Sequence, residues 1–190
     1  MKLLTLFILV GLALGSSPAR GDEAAAAKPT VVVTTSKGDI VIELDAERAP
    51  VTVKNFLRYA DEGFYDGTIF HRVMRGFMIQ GGGFDAELNK KPTHEPIVNE
   101  ADNDLKNEVG TIAMARTNDV NSATAQFFIN TVENASLNHG ARNFGYAVFG
   151  KVIEGMDVVT RIEATRTERK GPHNAVPLET IVIESVKRRD

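Results

Sequence analysis

From residue 30 onward, the apolar and polar positions describe a string of short strands interrupted twice by helical spacing. "TVVVTT" (30–35) and "DIVIEL" (39–44) are apolar runs of strand length. Ser36-Lys37-Gly38 separates them, and Gly38 can supply the positive φ of a tight hairpin. In "APVTVKNFLRYADEGFY" the period changes: Val53, Phe56, Leu57 and Ala60 recur at helical spacing. Pro50 suits the first turn and Gly63 the position past the last, which predicts one helix of about three turns. "TIFHRV" and "FMIQGG" follow as short strands around Arg75-Gly76. The segment 90–106 is polar, carries Pro92 and Pro96, and reads mostly as loop. "GTIAMAR" (110–116), "QFFINT" (126–131) and "YAVFGKV" (146–152) are strand candidates. Residues 156–164 form a second amphipathic helix with Met156, Val159 and Ile162 on one side, and "TIVIESVK" (180–187) is a closing strand. Many short strands with only two helices point to an all-β barrel or sandwich in a single domain, residues 30–190.

The first 29 residues read differently. Lys2 precedes the apolar run "LLTLFILVGLAL", and small residues follow in "GSSPARG". This is the pattern of a secretory signal peptide over residues 1–21, with cleavage expected after Gly15 or Gly21. The run is too short for a comfortable membrane span. Residues 22–29 read as a flexible leader. Export implies a location outside the cytoplasm and no stable membrane association once the signal is removed. There is no cysteine, which excludes thiol catalysis, thiolate metal sites and disulfides. Removing residues 1–21 takes away Lys2 and Arg20 and no acid, leaving 20 of the 22 basic residues against 25 acidic ones. A mildly acidic chain without a basic block is a poor nucleic-acid binder.

Few chemistries survive inspection. His71, His94, His139 and His173 are scattered, without metal-ligand spacing. No G-x-S-x-G elbow is present, and Gly81-Gly82-Gly83 lacks the Lys and Ser/Thr of a phosphate loop. Those glycines read instead as places of close backbone approach, or as room for a bound chain. Arg72 stands out as a guanidinium inside the apolar run "TIFHRVMRGFMIQGGG". Strand alternation puts it on one face with Phe70 and Met74, with His71 opposite beside Ile69 and Val73. It is either a rim arginine paired to a nearby acid or a functional group, and periodicity alone leaves both open.

The wider pattern resembles the cyclophilin family of peptidyl-prolyl isomerases. "FHRVMRGFMIQGG" is similar to the family's F-H-R-x-x-x-x-F-M-x-Q-G-G core, and "GTIAMAR" to its G-x-x-x-M-A segment. "SATAQFFIN" resembles S-x-x-S-Q-F-F-I with Ala125 for the second Ser, and "FGYAVFGKVIEGMDVV" resembles V-F-G-x-V-x-x-G-M-x-x-V. The match runs over residues 31–186, and "RNFGYAVFG" and "NEADN" look most like the bacterial exported branch, which implies a periplasmic location.

The resemblance implies a mainly β fold: a closed eight-stranded antiparallel barrel capped by two α-helices. It implies isomerisation of X-Pro bonds during folding of exported proteins, on proline-containing unfolded or exposed segments. No metal or cofactor is called for, since no bond breaks, and a monomer is expected. The alternative is a non-catalytic proline-peptide-binding chaperone on the same fold. Carried over residue by residue, Arg72 is catalytic. Phe77, Met78, Phe128 and Leu137 form the proline pocket. Gln80, Ala115, Arg116 and Gln126 hold the flanking backbone, and His71 borders the site. Tyr146 stands where many relatives have His. Ser136 stands where many have Trp or Phe, so cyclosporin binding is expected to be weak.

Overall fold

The computed structural model describes residues 28–189 apart from Arg142. The expected signal peptide, and the leader up to residue 27, lie outside the described residues. In chain order the elements are β1 (Thr30–Thr35), β2 (Gly38–Leu44), α1 (Pro50–Asp61), β3 (Thr68–Ile69), β4 (Arg72–Met74), β5 (Met78–Gly81), β6 (Thr111–Met114) and β7 (Phe127–Asn130). There follow a 3-10 turn (Ala135–Leu137), β8 (Val148–Glu154), α2 (Met156–Glu163), β9 (Thr167–Lys170), β10 (His173–Pro177) and β11 (Val182–Arg189).

Nine strands form one antiparallel sheet in the order β3-β11-β1-β2-β8-β6-β7-β5-β4. Its two edges, β3 and β4, are consecutive in the chain and separated only by Phe70 and His71, so the curled sheet's edges are joined by the chain and not by a ladder. This refines the expected closed eight-stranded barrel. The ninth segment arises because "TIFHRV", read as one strand, breaks at Phe70-His71. The Phe70 amide there donates to the carbonyl of Ile181, at 3.0 Å. The break also shifts the alternation: Phe70 and Val73 both enter the main core, while Arg72 and Met74 stay outside it. Phe70 and Arg72 therefore do not share a face, contrary to strict alternation.

The interior is filled. Val31, Val33, Ile40, Ile42, Leu44, Ile79, Ile112, Met114, Phe127, Ile129, Phe149 and Ile183 point inward from the strands. From α1, the Phe56 ring meets Tyr65 at 5.2 Å, Phe127 at 5.6 Å and Phe149 at 5.2 Å between centroids. Truncating such a fully buried ring costs about 3–5 kcal/mol. Pro50 occupies the first turn of α1, as its fixed φ suits. Ala49 offers no capping side chain. Glu100, from the long loop, supplies the cap instead: its carboxylate accepts from the amides of Val51 (3.0 Å) and Thr52 (2.8 Å) and from the Thr52 hydroxyl (2.7 Å). A negative charge there also complements the helix dipole.

The helices and most strands lie where the apolar pattern put them. The β9–β10 hairpin was not anticipated. Its strand "TERK" is largely exposed and charged, so it carries no apolar alternation to read. No helix among the described residues is long and apolar enough to cross a membrane.

Candidate active site

Four strands of the sheet present a second, outward apolar cluster of Met78, Ala113, Phe128 and Val148, with Met74, Phe77, Ala115, Leu137 and Tyr146 packed against it. Register explains the grouping. Arg72 on β4 pairs with Gln80 on β5, Gln80 with Phe128 on β7, and Phe128 with Ala113 on β6. Residues directly opposite in antiparallel strands hold their side chains about 5 Å apart. One row thus runs from a guanidinium through an amide to a phenyl floor. Met74, Met78 and Asn130 form the next row.

A pocket of about 170 Å³ opens over these rows, lined by Arg72, Phe77, Met78, Gln80, Ala115, Arg116, Phe128, Leu137 and Tyr146. Nine of the eleven residues expected at the site therefore meet around one cavity. Gln126 joins through Gln80, whose amide donates to Gln126 Oε1 at 3.1 Å. Arg72 Nη1 donates to Gln80 Oε1 at 3.2 Å, and Nη2 approaches Met74 Sδ at 2.9 Å. Among the described residues, none of the ion pairs includes Arg72. Between a rim arginine paired to an acid and an arginine aimed by neutral groups, the geometry is the second.

Other pocket residues also bond within the chain. The Arg116 guanidinium is engaged within the chain. It donates to the carbonyls of Gly145 (3.0 Å) and Thr117 (2.9 Å) and to Asn143 Oδ1 (3.3 Å), and it lies over the Tyr146 ring at 4.6 Å. Tyr146 in turn meets Phe128 edge-on at 5.7 Å. The Ala115 amide donates to the Gln126 carbonyl at 2.9 Å.

His71 does not line the pocket. It is buried, with its ring 4.6 Å from Phe84, and His173 lies on Phe84 at 5.0 Å. Burial, with the His173 and Arg72 charges nearby, pushes its pKa down to about 4. Ser136 is exposed in the 3-10 turn beside Leu137, and Phe144 packs on His139 at 5.0 Å, away from the pocket.

The triple glycine makes room for the chain's own side chains. A Cβ at Gly82, where φ is +79°, would sit 2.9 Å from both the Phe127 and Tyr65 rings, and one at Gly83 would overlap Gln126. Glycine at 83 is what lets Gln126 reach Gln80.

Larger concavities are chemically poorer. A groove of about 710 Å³ runs along α1, and its Arg58, Glu62, Asp61 and Arg188 are tied up in ion pairs. No group of three or more metal-ligating side chains occurs among the described residues.

This fold and pocket define a class. The chain belongs to the family described as cyclophilin type peptidyl-prolyl cis-trans isomerases, whose model matches residues 30–188. Among relatives, it is 56% identical over 164 residues to peptidyl-prolyl cis-trans isomerase A of Dickeya dadantii, covering 86% of each chain. It is also 56% identical over 159 residues to peptidyl-prolyl cis-trans isomerase B of Escherichia coli, covering 82% of this chain and 97% of that one. A Cryptosporidium parvum cyclophilin crystal structure superposes with a TM-score of 0.72 at 27% identity, over 86% of this chain and 98% of that one. The chain is accordingly a peptidyl-prolyl cis-trans isomerase acting on proline-containing peptides.

Proposed function

We propose that Arg72 is the catalytic residue, that the 170 Å³ pocket receives the proline ring, and that the enzyme works on exported proteins in the periplasm. The observation that carries the site assignment is a guanidinium without a carboxylate partner among the described residues, held by Gln80 on the wall of an apolar cavity. A cavity this size is below the 300–1,000 Å³ typical of drug-sized ligands and suits a small ring. A related Cryptosporidium parvum structure was determined in the presence of the dipeptide Ala-Pro, which supports the same occupant here.

The barrier to X-Pro rotation comes from amide resonance and is about 18–20 kcal/mol. Uncatalysed exchange takes tens of seconds or more. Rotation breaks no bond, so the site needs no nucleophile. As the amide twists, the prolyl nitrogen regains its lone pair. A donor to that nitrogen then binds the transition state and barely the ground state, which is the kind of binding that accelerates a reaction. Arg72 is always protonated, and its planar fork offers several donors at once. Phe77, Met78, Phe128 and Leu137 grip the ring and keep water from competing. Gln80 aims the guanidinium, and Gln126 aims Gln80. Gln80, Gln126 and Ala115 border the path of the flanking backbone. Arg116 acts on that wall by holding Tyr146, and His71 supports the strand break next to Arg72 from beneath.

The signal-like residues 1–21 support export. The acidic mature chain supports peptide clients over nucleic acid, with no stable membrane association after cleavage. The protein acts as a monomer and binds cyclosporin weakly, for want of an aromatic at Ser136.

The decisive experiment is a protease-coupled or NMR exchange assay on a short X-Pro peptide. Arg72→Ala should fold normally and lose about 10²–10³-fold in turnover, by analogy with removal of one transition-state donor. Arg72→Lys should fail nearly as badly, because a point charge cannot replace the fork. Near-wild-type turnover in a folded Arg72→Ala protein would refute the assignment.

A further inference from the structure

Behind the pocket lies a relay of three buried asparagines that the proposed mechanism does not use. Asn130 is fully buried, Asn107 is 1% exposed and Asn134 is 7% exposed. The Asn134 amide donates to the Phe77 carbonyl at 2.9 Å and to Asn130 Oδ1 at 2.7 Å. The Asn130 amide donates to Asn107 Oδ1 at 3.2 Å and to Thr111 Oγ1 at 2.9 Å. The Asn107 amide donates to the Leu137 carbonyl and to Asn138 Oδ1, both at 3.1 Å. Each of the three amide nitrogens donates, and the amide oxygens of Asn130 and Asn107 accept from the preceding member, so the relay runs in one direction from Asn134 to Asn107.

Its two ends matter more than its satisfaction. Phe77 sits in the turn before β5 and Leu137 in the 3-10 turn, so both pocket walls lie outside the strands. Among the described residues, the Phe77 carbonyl accepts from the Thr131 amide (3.1 Å) and from Asn134, and the Leu137 carbonyl from the Tyr146 amide (3.0 Å) and from Asn107. Asn130 lies two residues past Phe128 on β7, on the same face as the pocket floor. The relay thus spans from one wall to the other beside that floor.

We propose that Asn107, Asn130 and Asn134 are positioning residues that fix the separation of the Phe77 and Leu137 walls of the proline pocket. This rests on the reading of the Arg72 pocket as the isomerase site. Neutral amides suit the task. They tie backbone to backbone without a charge that would compete with Arg72, and three linked members in a low-dielectric interior hold one geometry.

The test uses the purified chain, with kcat and KM measured by NMR exchange on an X-Pro peptide, peptide Kd by titration, and melting by circular dichroism. Asn134→Asp keeps the shape and removes both donations. It should lower kcat/KM by about tenfold, mainly through KM and with a parallel rise in Kd, as small misplacement of binding groups does. Asn134→Ala serves if the aspartate variant fails to fold. Thr68→Ala removes a buried hydroxyl that donates to the Tyr65 carbonyl, away from the pocket, and controls for lost stability. Because Asn107 and Asn134 act on one relay, Asn107→Ala and Asn134→Ala should combine to less than the product of their separate effects. Wild-type KM and Kd in the Asn134 variants overturn the proposal. So does a loss matched by Thr68→Ala at equal melting temperature, or independent effects in the double variant. An inactive wild type would instead refute the isomerase site itself, whereas an active wild type with unaffected Asn134 variants refutes the relay alone.

Discussion

Lowering the pH towards 5 should act on His71 before it acts on the carboxylates. The ring is buried against Phe84, its Nδ1 has no hydrogen-bond partner among the described residues, and its folded pKa is about 4 against the ordinary 6.5. Between those values the unfolded chain takes up a proton that the native state refuses. Stability is therefore full above pH 6.5, falls as the pH drops, and levels off below 4. At about 1.4 kcal/mol per pH unit crossed, the loss is on the order of 3 kcal/mol by pH 4 and about 2 kcal/mol by pH 5. Asp45, Asp61, Glu62, Asp85 and Asp157 have lowered pKa values, so stability tied to them is lost only as the pH falls below the ordinary carboxylate range. The window from pH 6.5 to 5 thus separates His71 from those carboxylates. In urea titrations across it, wild type should lose about 2 kcal/mol, or about 4–8 °C in melting temperature for a domain this size. His71→Phe should flatten most of that slope. His173→Gln should flatten it only slightly, since burial is the larger cause. An unchanged slope in His71→Phe, with the variant folded at pH 7.5, would refute this account of acid sensitivity.

Three further outcomes are expected. Phe128→Ala should raise KM and lower turnover at temperatures well below its midpoint, beyond the roughly 3–5 kcal/mol of lost stability; normal kinetics in the folded variant would leave Phe128 as core alone. Ser136→Trp should strengthen cyclosporin inhibition with little change in kcat/KM, because it adds a large apolar ring and an indole donor at the exposed turn beside Leu137; tight inhibition of the wild type would contradict the reading. Mass spectrometry of the periplasmic fraction should find a mature chain beginning between residues 16 and 22, and an intact Met1 there would refute the signal peptide.

The chain's local pattern determined much of this. Alternation and helical spacing located most strands and both helices, Pro50 and Gly63 bounded the first helix, and the ordered motifs from Phe70 to Val159 carried the family and named the pocket residues. These are short-range signals, each legible within a few turns or one strand. What needed the tertiary structure was whatever depends on partners far apart in sequence. The strand break at Phe70-His71 is set by a bond to Ile181, so the alternation that grouped Phe70 with Arg72 failed there. The cap of α1 comes from Glu100, on a loop that has no pattern of its own. His71 looked like a site residue because it adjoins Arg72 in the chain, yet it packs towards Phe84 and His173. Arg116, expected beside the flanking backbone, does line the pocket, and its bond to the turn at Gly145, 29 residues away, is not legible in the chain around it. The asparagine relay was invisible because Asn107, Asn130 and Asn134 share no spacing, and only the register of β7 and the return of the 3-10 turn bring their amides within hydrogen-bonding distance. Backbone pattern follows from local sterics and burial, whereas side-chain partnership follows from which surfaces the curled sheet presses together.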